Sequence, residues 1–129
     1  MSTLLLRLAA PLQAWGTDSK FETRRTDQVP SKSGVIGMLA AALGLPRDAD
    51  LSALAALRFG VRVDRAGDLL HDYHTVKTKK KKSKEEITYI THRYYLADAI
   101  FVVGFESADR NFLEKLENAL RHPCYPLFL

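Results

Sequence analysis

The sequence predicts an α+β domain of ferredoxin-like, split βαβ plan, with a hairpin inserted at its centre and the last strand of the plan missing. Three observations carry this reading. Apolar patterns of period two and period 3.6 succeed one another in the order strand, helix, strand, hairpin, strand, helix. The 129 residues are enough for one sizeable core, so residues 1–129 read as a single domain. A 47% apolar fraction beside 26% charged residues is that of a globular chain.

Residues 3–9 read as a buried strand on Leu4, Leu5, Leu6 and Leu8, stopped by Pro11. The segment 11–30 is polar and irregular, with Trp15-Gly16 near its start. Trp15 suits the core, an interface or a stacked base. From Ser33 the spacing turns helical, with Val35, Ile36, Leu39, Ala42 and Leu43 on one stripe. Ser31 or Ser33 is the expected N-cap, Gly44 the C′ residue and Pro46 the stop. Gly37, inside the stripe, is expected to permit close helix packing. A short helix is expected around 51–56. Residues 58–64 alternate, with Phe59, Val61 and Val63 on one face and Arg58, Arg62 and Asp64 on the other.

Residues 69–76 and the β-branched, aromatic stretch 87–95 read as the two arms of a hairpin, an insertion of about 69–96. Residues 99–105 give the clearest strand. A helix over about 109–121 follows, with Phe112, Leu113, Leu116, Ala119 and Leu120 on one side, Asp109 as cap and Pro123 as stop. The chain then runs to Pro126-Leu127-Phe128-Leu129, which reads as the start of a further element. The edge left by an absent last strand would be an association hazard.

Net charge is +4 and unevenly spread: Lys77, Lys79, Lys80, Lys81, Lys82 and Lys84 fall within eight positions, at the expected hairpin tip. Such a patch favours nucleic acid or an acidic membrane surface, and a solvated loop is the plain alternative. Cys124 stands alone, so neither a disulfide framework within the chain nor a cysteine-based zinc site is available. No apolar run approaches the roughly 20 residues that span a bilayer. No secretory leader is read, because Arg7 interrupts the first leucines. A reduced, cytoplasmic setting is expected, with no membrane partner.

Pro30-Ser31-Lys32-Ser33-Gly34-Val35-Ile36-Gly37 is the most informative segment. It follows the pair Arg24-Arg25 and opens the first long helix. A helix N-terminus presents free N–H groups at its positive end and attracts phosphate. Lys32 adds charge, Ser31 and Ser33 add hydroxyls, and Gly34 lets backbone approach closely. It has neither the spacing nor the ending of a Walker loop, and its GxxG is a weak signal within an apolar stripe. Thr91-His92-Arg93-Tyr94-Tyr95 mixes cations with rings that can hold backbone and stack on bases.

His71 and His74, three apart on a strand, point to opposite faces, which argues against a metal pair, and no cofactor is expected. No nucleophile–base pair stands out. A metal-independent ribonuclease using His74 or His92 with Tyr73 or a lysine is the enzymatic alternative. The residues alone thus favour a protein that holds a phosphate backbone over one that cuts it.

Residues 5–16, Arg24-Arg25-Thr26, the Pro30–Gly37 segment, Asp72–Val76 and Thr91–Ala99 together resemble the CasD subunits, the family-five CRISPR-associated component of type I-E Cascade. The resemblance runs over nearly the whole chain. It implies an RRM-related, RAMP-type fold whose hairpin is a thumb. It implies a non-catalytic subunit in antiviral defence that grips the 5′ handle of CRISPR RNA and caps one end of the complex. Its implied neighbours are the backbone subunit CasC and the large subunit CasA, with target DNA reached through the assembled complex. Arg24, Arg25, Ser31, Lys32, Ser33 and Gly34, the thumb residues His92, Arg93 and Tyr94, and the tip lysines Lys79, Lys80, Lys81 and Lys82 are the expected RNA contacts. Relatives continue into a Gly-Arg-Arg loop and a further region, so this chain is expected to be a shortened form. A related branch cuts precursor RNA without metal, which keeps the ribonuclease alternative open. A generic basic RRM-like RNA-binding domain is the third reading.

Overall fold

A computed structural model describes residues 1–16, 23–24, 26–79 and 86–129. Arg25 and Lys80, Lys81 and Lys82 lie outside the described residues. The elements are β1 (Ser2–Ala9), β2 (Leu12–Gln13), β3 (Thr23–Arg24), α1 (Lys32–Leu43), α2 (Ser52–Ala55), β4 (Arg58–Arg65), β5 (Asp68–Lys79), β6 (Glu86–Ala97), β7 (Ile100–Ser107) and α3 (Arg110–Arg121).

Two sheets result. The first is a three-stranded sheet in the order β1-β7-β4, antiparallel throughout. One face of β7, Phe101, Val103 and Phe105, is wholly buried. Leu4 and Leu8 of β1 join it, and the Phe59 ring lies 5.3 Å from that of Phe105. The alternation expected for β4 holds through Phe59 and Val61, which pack on the core. It fails at Val63, where the register shifts toward Arg65 and the side chain is 47% exposed.

Helices α1 and α3 pack side by side against this core. Val35, Ile36, Leu39 and Ala42 come from α1, and Leu113 and Leu116 from α3. Ser31 is the N-cap, its Oγ accepting from Gly34 N at 3.1 Å. At the other end Gly44 is left-handed (φ 76°). Its N–H reaches Ala41 O and that of Leu45 reaches Ala40 O, the paired bonds of a Schellman stop. The tail supplies two further donors, Cys124 N to Ala42 O and Tyr125 N to Ala41 O. Asp109 caps α3 by accepting from Phe112 N at 3.1 Å, and Arg110–Glu114 and Glu117–Arg121 pair along its surface.

The second system is a long hairpin, β5 against β6, inserted between the neighbouring strands β4 and β7. Its register is unbroken from Asp68↔Ala97 to Lys79↔Glu86. The other edge of β6 carries β2, antiparallel at Leu12↔Ala97, and β3, parallel at Thr23↔His92 and Arg24↔Arg93. The segment 11–30 is therefore not wholly irregular, because the free edge of the hairpin captures two short strands from it.

Gly37 departs from expectation. It is exposed, and a Cβ there would meet nothing within 4 Å, so no helix among the described residues packs against it. Gly34 is the close-packed glycine: a Cβ would come within 3.0 Å of Ser31 Oγ and Trp15 Cε3. No described helix is long and apolar enough to cross a membrane.

Candidate nucleic-acid interface

The mouth of α1 is built from below by Trp15. Its ring is 4% exposed and lies against Gly34, so of the three roles open to it the structure selects the core. Trp15 Nε1 donates to Gln13 Oε1 at 3.0 Å, and Gln13 Nε2 donates to Ala99 O at 2.9 Å and Leu8 O at 3.3 Å. Gln13 is 1% exposed, and this chain of bonds satisfies it where an unpaired amide would cost about 1–3 kcal/mol. Trp15 N also donates to Thr26 Oγ1 (2.8 Å), while Asp27 N donates to Trp15 O (2.8 Å). The approach to the helix is thereby tied to the strand that flanks the hairpin.

At the mouth itself, Ser31 Oγ and Ser33 Oγ lie 3.5 Å apart. Lys32 is less free than its charge suggests. Its Nζ donates to Ala55 O at 2.7 Å, covering the end of α2 and leaving two of its three donors. Arg24 is placed only by its backbone, in register with Arg93. Arg93 is exposed and stands opposite Asp72.

The hairpin sorts its polar residues onto two faces. On one, His74 Nε2 lies 2.5 Å from Asp72 Oδ2. On the other, His71 Nε2 meets His92 Nδ1 at 2.9 Å. The His71 ring stacks on Tyr94 (4.6 Å between centroids, 10° between planes) and on His92 (5.1 Å, 16°), and Tyr73 meets His92 edge-on at 5.4 Å. His71 and His74 thus do point apart. Of the acid–base pairs considered from the sequence, the register sets Tyr73 beside His92 on one face and leaves His74 on the other. His71 is the histidine beside His92, and only the cross-strand register exposes that.

At the foot of the hairpin, on the ring-bearing face, lies a cavity of about 380 Å³. Val29, Val63, Leu69 and Leu96 line it, with Gln28 and Thr26 at its polar side. Val29, Val63 and Leu69 are 41%, 47% and 65% exposed, three exposed aliphatic side chains in one place. The cavity joins the run that leads into α1 to the base of the hairpin, so the two regions singled out by sequence are neighbours.

Residues 3–129 match the family described as CRISPR-associated protein (Cas_Cas5). The chain belongs to the CRISPR-associated Cas5 family. A curated relative, the CRISPR system Cascade subunit CasD of Escherichia coli K12, is 39% identical over 147 aligned positions, which take in 99% of this chain and 64% of the relative. Among solved structures, a chain described as a Cas protein is 50% identical with a TM-score of 0.76. A chain of a CRISPR RNA-guided surveillance complex is 39% identical with a TM-score of 0.86. Each covers 99% of this chain, which spans 56% and 57% of their lengths. The Cas5 chain described here thus corresponds to somewhat under two thirds of its curated relative. The mixed α/β architecture with antiparallel sheets accords with that membership.

Proposed function

We propose that this chain is the RNA-gripping part of a Cascade subunit that holds the 5′ handle of CRISPR RNA and caps one end of the complex, without itself cutting RNA. The observation that carries the reading is its superposition, at a TM-score of 0.86 and 39% identity, on a chain of an RNA-guided surveillance complex. The α1 mouth supplies oriented N–H groups, with Ser31, Lys32, Ser33 and Gly34 placed around them. The hairpin serves as a thumb, with His92, Arg93 and Tyr94 at its base and Lys79–Lys82 as further proposed RNA contacts. CasC and CasA are the proposed neighbours, target DNA is met through the assembled complex, and the setting is the cytoplasm.

The proposed fold is one RAMP-type ferredoxin-like domain over 1–129, with its thumb at about 69–96. The order β1-β7-β4 corresponds to three strands of that plan. The fourth would pair on the outer edge of β1, over a groove of about 340 Å³ between β1 and α3 lined by Leu4, Leu113 and Glu117.

Changing Arg24, Arg25 and Lys32 together to Ala should weaken binding of handle RNA by about 1–3 orders of magnitude at physiological salt, by lost counterion release. Full affinity in the triple variant would sink the proposal. One observation favours a second reading, a metal-independent ribonuclease: the exposed His71–His92 pair beside Tyr73. Against it, the two imidazoles spend a nitrogen on each other and lie on one side of any bound strand, whereas in-line cleavage needs acid and base on opposite sides of the phosphorus. Incubation with CRISPR precursor RNA in EDTA decides between them, since specific cleavage would establish the enzyme.

A further inference from the structure

The three-stranded sheet packs its helices on one face and turns the other outward. On the outward face Leu5 of β1, Gly104 of β7 and Gly60 of β4 stand opposite one another in a single row. The two glycines leave bare backbone there, the floor of an open hollow of about 410 Å³ walled by Arg58, Arg62 and Val102. Glycine weakens a strand, so two of them paired across neighbouring strands need a reason. Neither has a positive φ, and the register runs unbroken through both, so no turn or bulge supplies it. Packing within the chain does not supply it either. A Cβ on Gly60 would meet nothing within 4 Å, and one on Gly104 would meet only the side-chain ends of Leu5 and Thr3. The reason left is close approach from outside.

We propose that this trough docks an acidic protein segment, which seats one aromatic side chain over Gly60 and Gly104. A ring laid over a strand glycine restores the side-chain contact that the glycine lacks. No outward position of β1, β7 or β4 carries a ring of its own to do so. Leu5, 67% exposed, supplies an aliphatic end wall for it. Charge selects the residues beside the ring. Arg62 is held by Asp64 at 2.7 Å, and Arg58 lies 3.8 Å from Glu106. Arg7, opposite Val102, and Arg65, opposite Ile100, are exposed on the same face and make no hydrogen bond among the described residues. A partner carboxylate next to the ring would meet these two. Nucleic acid fits this face less well. Sheets that hold RNA across a face offer rings for stacking, and this face has none. A phosphate chain also carries charge at every residue and would pass Glu106 and Asp64, whereas a peptide can set its carboxylate at Arg7 and Arg65 alone. The inference uses none of the residues assigned above to RNA and stands apart from that reading.

The test uses the full chain and two short labelled peptides, one with a central tyrosine flanked by aspartates and glutamates, the other with alanine in place of the tyrosine. Fluorescence anisotropy should show the tyrosine peptide binding about tenfold more tightly, as burial of one ring requires. Gly60→Val, which sets a branched side chain into the trough from an exposed strand position, should abolish that difference. The same variant should leave the unfolding midpoint unchanged or raised, so lost binding cannot be ascribed to lost structure. Arg7→Gln should weaken both peptides alike. In amide NMR spectra the tyrosine peptide should shift Gly60 and Gly104 and leave β5 and β6 unmoved. Equal binding of the two peptides would reduce the face to charge attraction and overturn the proposal. Full affinity in Gly60→Val, or binding of neither peptide, would overturn it too. RNA affinity lost in Gly60→Val would give the face to nucleic acid, and dimers of the chain dissociated by the same change would give it to a second copy. Either result would overturn the acidic partner.

Discussion

Two glycines in the first turns of one helix should respond to alanine with opposite signs. At Gly34 a new Cβ would sit 3.0 Å from Ser31 Oγ, 3.0 Å from Trp15 Cε3 and 3.3 Å from Trp15 Cζ3. Trp15 cannot retreat cheaply, because its ring is 4% exposed and its Nε1 is committed to Gln13. Overpacking of this kind costs about 1–3 kcal/mol, against a helix-propensity gain of at most about 1 kcal/mol. Gly34→Ala should therefore destabilise the chain by about 1 kcal/mol. At Gly37 the space around a Cβ is empty, so only the propensity and unfolded-state terms remain. Gly37→Ala should stabilise by about 0.5–1 kcal/mol. Urea unfolding followed by far-UV circular dichroism measures both, provided the slope with denaturant is unchanged. Stabilisation by Gly34→Ala would mean that Trp15 does not floor the helix mouth as described. Destabilisation by Gly37→Ala would mean that the exposed side of α1 is covered in solution.

Other consequences are as direct. Phe101→Ala, at the centre of the buried strand face, should lose about 3–5 kcal/mol in the same unfolding assay. The hydrogen bonds from Arg62 hold Asp64 below the usual carboxylate range, so its contribution is complete above the unfolded-state pKa and fades as pH falls through the lower, folded value. Asp64→Asn should accordingly flatten the acid limb of a stability–pH profile by slightly lowering the plateau above it, and leave stability at the acid end little changed, the effect being small because the pair lies at the surface. Neutralising Lys79–Lys82 should reduce the slope of log affinity for RNA against log salt without shifting the unfolding midpoint. An unchanged slope would assign the run to solvent alone.

The elements were legible because their periodicities are strong and local. Leu4 and Leu8, the alternating Phe101, Val103 and Phe105, and the capped ends at Ser31, Gly44 and Asp109 each announce themselves within a few residues. What escaped depends on long-range pairing. Trp15 is fixed by Gln13, which in turn reaches Ala99, 86 positions away, and no window of sequence holds those three together. His71 meets His92 only in one hairpin register, and slipping one arm by a single residue would move it to the opposite face. Lys32 reads as a free cation until the end of α2 is seen to lie under it. Gly37 reads as a packing glycine because its neighbours are apolar, yet it falls on the bare side of the helix.

The inserted hairpin has a mechanical consequence. Each arm has 12 residues, and at about 3.4 Å per residue the ribbon is a boom about 37 Å long. Its footing on β4 and β7 does not depend on its length, since those strands pair directly with each other. Rows can thus be added or removed at the far end without disturbing the core, provided both arms change together. A lone insertion would turn every side chain beyond it to the wrong side. Reach is therefore adjustable in discrete steps of one paired row. Homologues that must touch something nearer or farther can be retuned by trimming the boom while its foot stays unaltered.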